Sequence, residues 1–226
     1  MCADKAVGLE ASDLLSLGSQ WIPQSTVRSK DYDWARMTKA NGDFHMWSDE
    51  FGGMMNLTSV YRWGDTVGLG AALPNVGSVS GGYMITEMNI ETVYNDWPTI
   101  TFTAHQHDEN VHSGGVQYEP STEIQSIVTG ALGALDYASL AASEVCAQSS
   151  SYTLSVNHLD EDCSSAEHWT GNNIQGVESV SINYIGLIGT FTVGNWWTSN
   201  YSLNDSNEAF DTSSITMEKY LTRYEA

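Results

Sequence analysis

Three histidines within eight residues, His105, His107 and His112, are the side chains of this 226-residue chain whose type and spacing come closest to a reactive constellation. On a strand, residues two apart project to the same side, so His105 and His107 can both reach one ion. His112 or Asp108 supplies a third ligand, and water in the fourth position makes a hydrolytic zinc site.

The detailed pattern departs from known arrangements of this kind. A His-x-His-x-Asp-His motif of the metallo-β-lactamase type needs its aspartate one place later than Asp108, and a cupin needs a glutamate where His112 stands. No Ser, Cys or Lys is placed as a nucleophile beside a base. The favoured reading is therefore structural: histidines at a strand end, hydrogen-bonded to loop carboxylates, with no enzyme activity and no cofactor. A metal-dependent hydrolase built on His105, His107 and His112 is kept as the alternative. A second segment repeats the layout, a strand ending at His158 followed by Asp160-Glu161-Asp162 and His168, which fits either a worn duplication or common loop composition. Asp205-Ser206-Asn207-Glu208 lacks the glycine and final glutamate of a calcium loop.

Trp196 and Trp197 are a different kind of candidate. Flat rings stack on sugars, but adjacent residues of a strand cannot both enter one core, so one of the two faces outward. A subunit contact is favoured over a carbohydrate-binding module, because aromatic residues are enriched at interfaces.

Charge is the least ordinary property of the chain. Residues 63–218 contain no lysine or arginine but nineteen acids, giving −19, whereas residues 1–62 sum to −2 and residues 219–226 to +1, for a total of −20. Cations are missing rather than anions added. Such a field repels phosphate and disfavours sequence-specific or cooperative nucleic-acid binding along the middle of the chain. The bases that exist, Arg28, Lys30, Arg36 and Lys39 near the start with Lys219 and Arg223 near the end, suit contacts between copies, where opposite ends attract in a fixed direction. Cys2, Cys146 and Cys163 are too few and too scattered for a disulfide framework. The opening residues carry no basic stretch followed by a long apolar run, and no window resembles a membrane span, so neither an export signal nor a span is expected.

The elements that must position these residues are mostly strands. Period-two alternation over residues 83–94 sets Met84, Met88, Ile90 and Tyr94 against Glu87, Asn89 and Glu91. Residues 99–105 set Ile100, Phe102 and Ala104 against Thr99, Thr101 and Thr103, and a turn at 95–98 joins the two into a long hairpin. Further strands are predicted over 57–63, 123–128, 151–158, 177–184, 188–193 and 214–224, the last placing Ile215, Met217, Lys219 and Leu221 together. Short helices are predicted at 11–17 and 135–147. The prediction is a mainly β chain, a β-sandwich or barrel-like subunit over residues 56–226, preceded by an N-terminal interface arm over 1–55.

Taken together, the long hairpin, the N-terminal arm, the anionic body and the segment Trp97-Pro98-Thr99-Ile100-Thr101-Phe102-Thr103-Ala104-His105-Gln106-His107 resemble the tail tube proteins of tailed bacteriophages. The resemblance implies a virion structural protein assembled in the host cytoplasm. It implies stacked rings, commonly hexameric, around an anionic lumen through which DNA passes. Its partners are then copies of itself and other tail proteins.

Overall fold

The computed structural model describes residues 13–17, 21–32, 35–40, 44–48, 53–63, 73–93, 96, 98–107, 116–120, 146–162, 169–186, 196–205 and 209–221. It is mainly β, as predicted. Eleven strands are seen: β1 (Trp21–Tyr32), β2 (Ala35–Thr38), β3 (Phe44–Ser48), β4 (Gly53–Trp63), β5 (Val79–Ser80), β6 (Tyr83–Val93), β7 (Thr99–His107), β8 (Cys146–Asp162), β9 (Trp169–Ile185), β10 (Trp197–Asn204) and β11 (Thr212–Leu221). Nine of them form one open sheet in the order β1-β4-β7-β6-β8-β9-β11-β10, with β5 paired to β6, while β2 and β3 form a separate hairpin. Neither a closed barrel nor two packed sheets is present among the described residues.

All pairings are antiparallel, and their registers carry each row of side chains across the sheet without a change of face. One buried row runs Tyr61, Ile100, Ile90, Tyr152, Val180, Met217, and the next runs Ser59, Phe102, Met88, Leu154, Glu178. Trp21 reaches over from β1 to meet Tyr61 and Phe102 edge-on, with ring centroids 6.0 and 5.6 Å away. Apolar residues from outside the strands, including Leu15, Val76 and Tyr118, complete this core. Tyr118 is held by a two-way backbone bridge to Val76, with N···O distances of 2.8 and 3.0 Å.

Several expectations are corrected. The helix predicted at 11–17 is, over its described residues 13–17, a turn: the Ser16 N–H donates to the Asp13 carbonyl at 3.3 Å and Ser16 takes φ 54°. This segment docks by tertiary contacts instead, with Leu15 fully buried, the Tyr61 hydroxyl donating to Asp13 at 2.9 Å and the Ser80 hydroxyl donating to the Leu15 carbonyl. The helix at 135–147 lies outside the described residues except for Cys146 and Ala147, which begin β8. The strands predicted at 123–128 and 188–193 also lie outside them, as does Tyr94. Residues 21–32, inside the predicted arm, form an edge strand paired to β4 along its whole length.

Met84 is a subtler correction. The register of β6 on β7 shifts between Ile85 and Glu87, a bulge that puts Ile85 opposite Ala104 on the core face. Met84, predicted to share that face with Met88, pairs with His105 on the opposite one, although it is only 1% exposed.

Two glycines are required by geometry. Gly81 and Gly82 form the two-residue β5–β6 turn with φ of 58° and 87°, the conformation of a type I′ hairpin, and a Cβ on Gly81 meets the Leu14 carbonyl. At Gly176 an added Cβ falls 2.7 Å from the Tyr118 ring.

Two measurements check this packing. Gly176→Ala lowers stability in urea unfolding by about 2 kcal/mol, and shortening Tyr118 to leucine in the same chain shows strong non-additivity, because the two positions share one space. Burial pushes the Tyr61 phenol above its ordinary 10.0, and the Asp13 carboxylate, through its hydrogen bond and its charge, pushes it further. A raised folded value means that the phenol favours folding at all pH below about 10 and that this contribution is lost as pH rises beyond it. Tyr61→Phe therefore flattens part of the fall in stability above pH 10 relative to the unsubstituted chain.

Candidate functional surface

Strands that send an apolar residue into the core send its neighbour to the other side of the sheet, and there the chain uses mostly hydroxyls, amides and carboxylates. In register across the sheet, one row runs Ser25, Val60, Thr101, Asn89, Thr153, Ser179, Glu218 and Trp197. The next runs Thr99, Glu91, Ser151, Ser181, Thr216 and Asn200, and on the other flank Thr58, Thr103, Glu87 and Ser155 line up. Glu87 and Glu91 are exposed; most of the hydroxyls are half-buried by their neighbours.

These polar groups bond sideways. Asn89 Nδ2 donates to Glu91 Oε1 at 3.2 Å, Thr153 Oγ1 donates to Asn89 Oδ1 at 3.5 Å, and the hydroxyl pairs Ser181/Thr216 and Ser202/Ser214 lie 3.1 and 2.8 Å apart. Cross-strand hydroxyl pairs stabilise a sheet by fractions of a kcal/mol each, about 0.2–1. Bonding among themselves also leaves these side chains less free to grip a passing solute.

Cations are excluded from this face over β6, β7, β8, β9 and the described part of β11. The register places Arg28 opposite Leu57, Lys30 opposite Met55 and Lys219 opposite Glu178, all on the core side. Arg62, at the end of β4 beside Thr99, is the exception among the described residues of the sheet. Among the described residues of the sheet, Arg28, Lys30 and Lys219 thus share the core side, and Glu87, Glu91 and Glu218 share the other.

The core side holds one charged cluster. Glu178, with no exposed surface, accepts a hydrogen bond from the Tyr152 hydroxyl at 2.7 Å and has Lys219 Nζ 3.6 Å away. Lys219, with a side chain 20% exposed, also lies over the Trp196 ring at 5.6 Å from its centroid. The first base after the long cation-free run therefore neutralises a buried carboxylate of its own chain. Sequence reading missed Glu178, yet the signal was present: it shares its parity with Val180, Ile182 and Tyr184, so a carboxylate was bound to enter the core and need a partner.

His105 is buried on the hydroxyl side between Asn56 and Met84. His107 ends β7 in register with Met54, and His112 lies outside the described residues. Among the described residues no group of three or more His, Cys, Asp or Glu could hold a metal ion. Of the tryptophan pair, Trp196 packs against the core and Trp197 is 74% exposed, as strand alternation demands. Arg28 and Lys39 are exposed, Arg36 lies in β2, and Arg223 lies outside the described residues. Among the described residues no helix is long and apolar enough to cross a membrane.

Breaking a buried ion pair from one side strands the other charge. Lys219→Met is expected to lower stability by about 3 kcal/mol in urea unfolding, and adding Glu178→Gln to it recovers most of the loss, because the amide can still accept from Tyr152. No protein-family model matches this chain, and no curated protein matches it.

Proposed function

We propose that this chain is a self-assembling structural protein of a virion, a subunit of stacked rings that form a tail tube, with the hydroxyl and carboxylate face of its sheet turned to the lumen through which DNA passes. The observation that carries the reading is the scarcity of cations on this face, which has none over β6, β7, β8, β9 and β11 and only Arg62 at the end of β4 among the described residues of the sheet. A lumenal lysine or arginine holds a phosphate by releasing counterions, and each such contact retards the polymer. A wall of laterally bonded hydroxyls with Glu87, Glu91 and Glu218 offers no such hold and repels the backbone instead. Such a wall works by what it does not bind, so no catalytic residue and no cofactor are needed.

The other face supports the same reading. The bases Arg28, Lys30 and Lys219 lie away from the wall, where they serve the fold and contacts between copies rather than the lumen. The partners are then copies of the chain and other tail proteins, and the location is the virion, assembled in the host cytoplasm.

Two experiments test the reading. Concentrated purified protein forms rings or stacked filaments in negative-stain micrographs; a protein that remains a monodisperse monomer overturns it. In the same preparation duplex DNA is not retained, whereas Thr101→Lys, Thr153→Lys and Ser179→Lys together, within one row, produce DNA binding that weakens steeply with salt, with a slope of about −0.9 in log affinity per phosphate contact.

A further inference from the structure

At one margin of the hydroxyl face the sheet sets two large rings side by side. Trp197 on β10 stands opposite Glu218 on β11, and Tyr220 follows two places along β11, opposite Val177. Trp197 is 74% exposed and Tyr220 59%. Diagonal neighbours of this kind lie about 7–8 Å apart on a sheet, and Glu218 adjoins both rings. Polar groups continue the patch: Ser179 beside Glu218, and exposed Gln175 opposite exposed Asn157 beyond Val177. The preceding residue of each ring fixes it from the core side. Trp196 packs against the core with Lys219 Nζ over its ring at 5.6 Å, and Lys219 also meets Glu178 at 3.6 Å. This inward contact joins the residues just before Trp197 and Tyr220, so the spacing of the outward rings is set in advance of any ligand.

We propose that Trp197, Tyr220 and Glu218 form a binding site for an uncharged oligosaccharide of β-linked pyranoses. Such a sugar with equatorial hydroxyls is a flat ribbon whose axial C–H groups give it an apolar face, matched to the negative face of an aromatic ring. Its hydroxyls donate to the Glu218 carboxylate and exchange hydrogen bonds with the amides of Gln175 and Asn157. A second protein surface suits the patch less well. The centre of a protein interface is depleted of charge, and the carboxylate and both amides would each need a partner once buried there. A sugar brings a hydroxyl for each. Charge then selects among sugars: Glu87 lies in the same row as Tyr220, and no base faces this side from β8, β9 or the described part of β11, so an acidic polysaccharide is repelled. The lack of bases that leaves phosphate unheld does not weaken stacking on an uncharged ring face. The site goes beyond the tail-tube reading and does not rest on it.

Tryptophan fluorescence and calorimetry on the full chain test this, with cellohexaose and the β-linked N-acetylglucosamine hexamer as probes. At least one hexamer binds and shifts the emission to the blue, and polygalacturonate does not compete. Trp197→Ala and Tyr220→Ala each weaken binding about tenfold. Phe210→Ala, which removes an exposed ring before the other end of β11, leaves it unchanged. No binding of either hexamer at millimolar concentration overturns the site, as does undiminished binding in both ring variants or equal binding of polygalacturonate. Should a variant fail to fold, saturation transfer on the unsubstituted chain decides: irradiated aromatic protons pass magnetisation to the sugar C–H groups, and its absence rejects the stacking. Sugar binding by a chain that never forms rings overturns the tail-tube reading alone, and rings that form without sugar binding overturn this site alone.

Discussion

The parity of residues along paired strands is the constraint on which the rest of this structure depends. Side chains alternate with a period of two, so a one-residue slip in any pairing exchanges core and surface for a whole strand. Here seven consecutive antiparallel pairings keep the same parity on the same side. A slip in β9 alone would expose Val180 and Ile182, bury Ser179 and Ser181, and separate Glu178 from Lys219. The apolar rows therefore fix the register, and the register in turn composes the opposite face. The hydroxyl wall inherits its order from the core.

Bulges tune this inheritance without breaking it. The extra residue near Thr86 brings Ile85 into line with Ala104 and leaves Met84 beside His105 on the far side. Alternation counted through Tyr83–Val93 cannot see such an insertion, because a period-two pattern has no marker for a skipped place. For the same reason the central strands were legible and the edges were not. In β6, β7, β8, β9 and β11 one face is buried, and the apolar residues spell it out. In β1 the described side chains are mostly exposed on both faces, and its mixture of Gln24, Arg28 and Lys30 with Val27 reads as a polar arm. Its strand state comes from pairing with β4. Residues 13–17 misled in the opposite sense: Asp13-Leu14-Leu15-Ser16-Leu17 has helical composition, but its anchors are Tyr61, Ser80 and the Gly81 notch, all distant in sequence. At the candidate surface the threonines and glutamates of the wall were legible as the wet side of a hairpin. Its extension over β8, β9 and β11 was not, since it needed the strand order.

Glu178 and Lys219 show how the charge pattern and the fold constrain each other. A carboxylate with no exposed surface is unfavourable unless a partner offsets its desolvation, and Tyr152 supplies a hydrogen bond but no charge. Lys219 completes the neutralisation from the adjacent strand, its position fixed by the β9–β11 register. Trp196 then covers the ammonium with its ring. A net charge of −20 thus coexists with a core whose one buried carboxylate among the described residues is locally balanced. The excess negative charge is left to the surfaces.

On the proposed reading, a chain this acidic must still meet its own copies. Screening sets the range of that conflict: at physiological ionic strength the Debye length is about 8 Å, so carboxylates on separated faces of neighbouring subunits are largely hidden from one another. Only groups at the seam interact at full strength. For association, cations are therefore needed only at the contacts, and a wall can be stripped of them without preventing it. Arg28 on an edge strand fits that economy, and so does the absence of any base from the central strands of the hydroxyl face. On this argument the missing lysines and arginines are not a property of the chain as a whole. On the proposed reading they mark the surface where a held phosphate would do harm, and Arg28, Lys30 and Lys219 lie away from it.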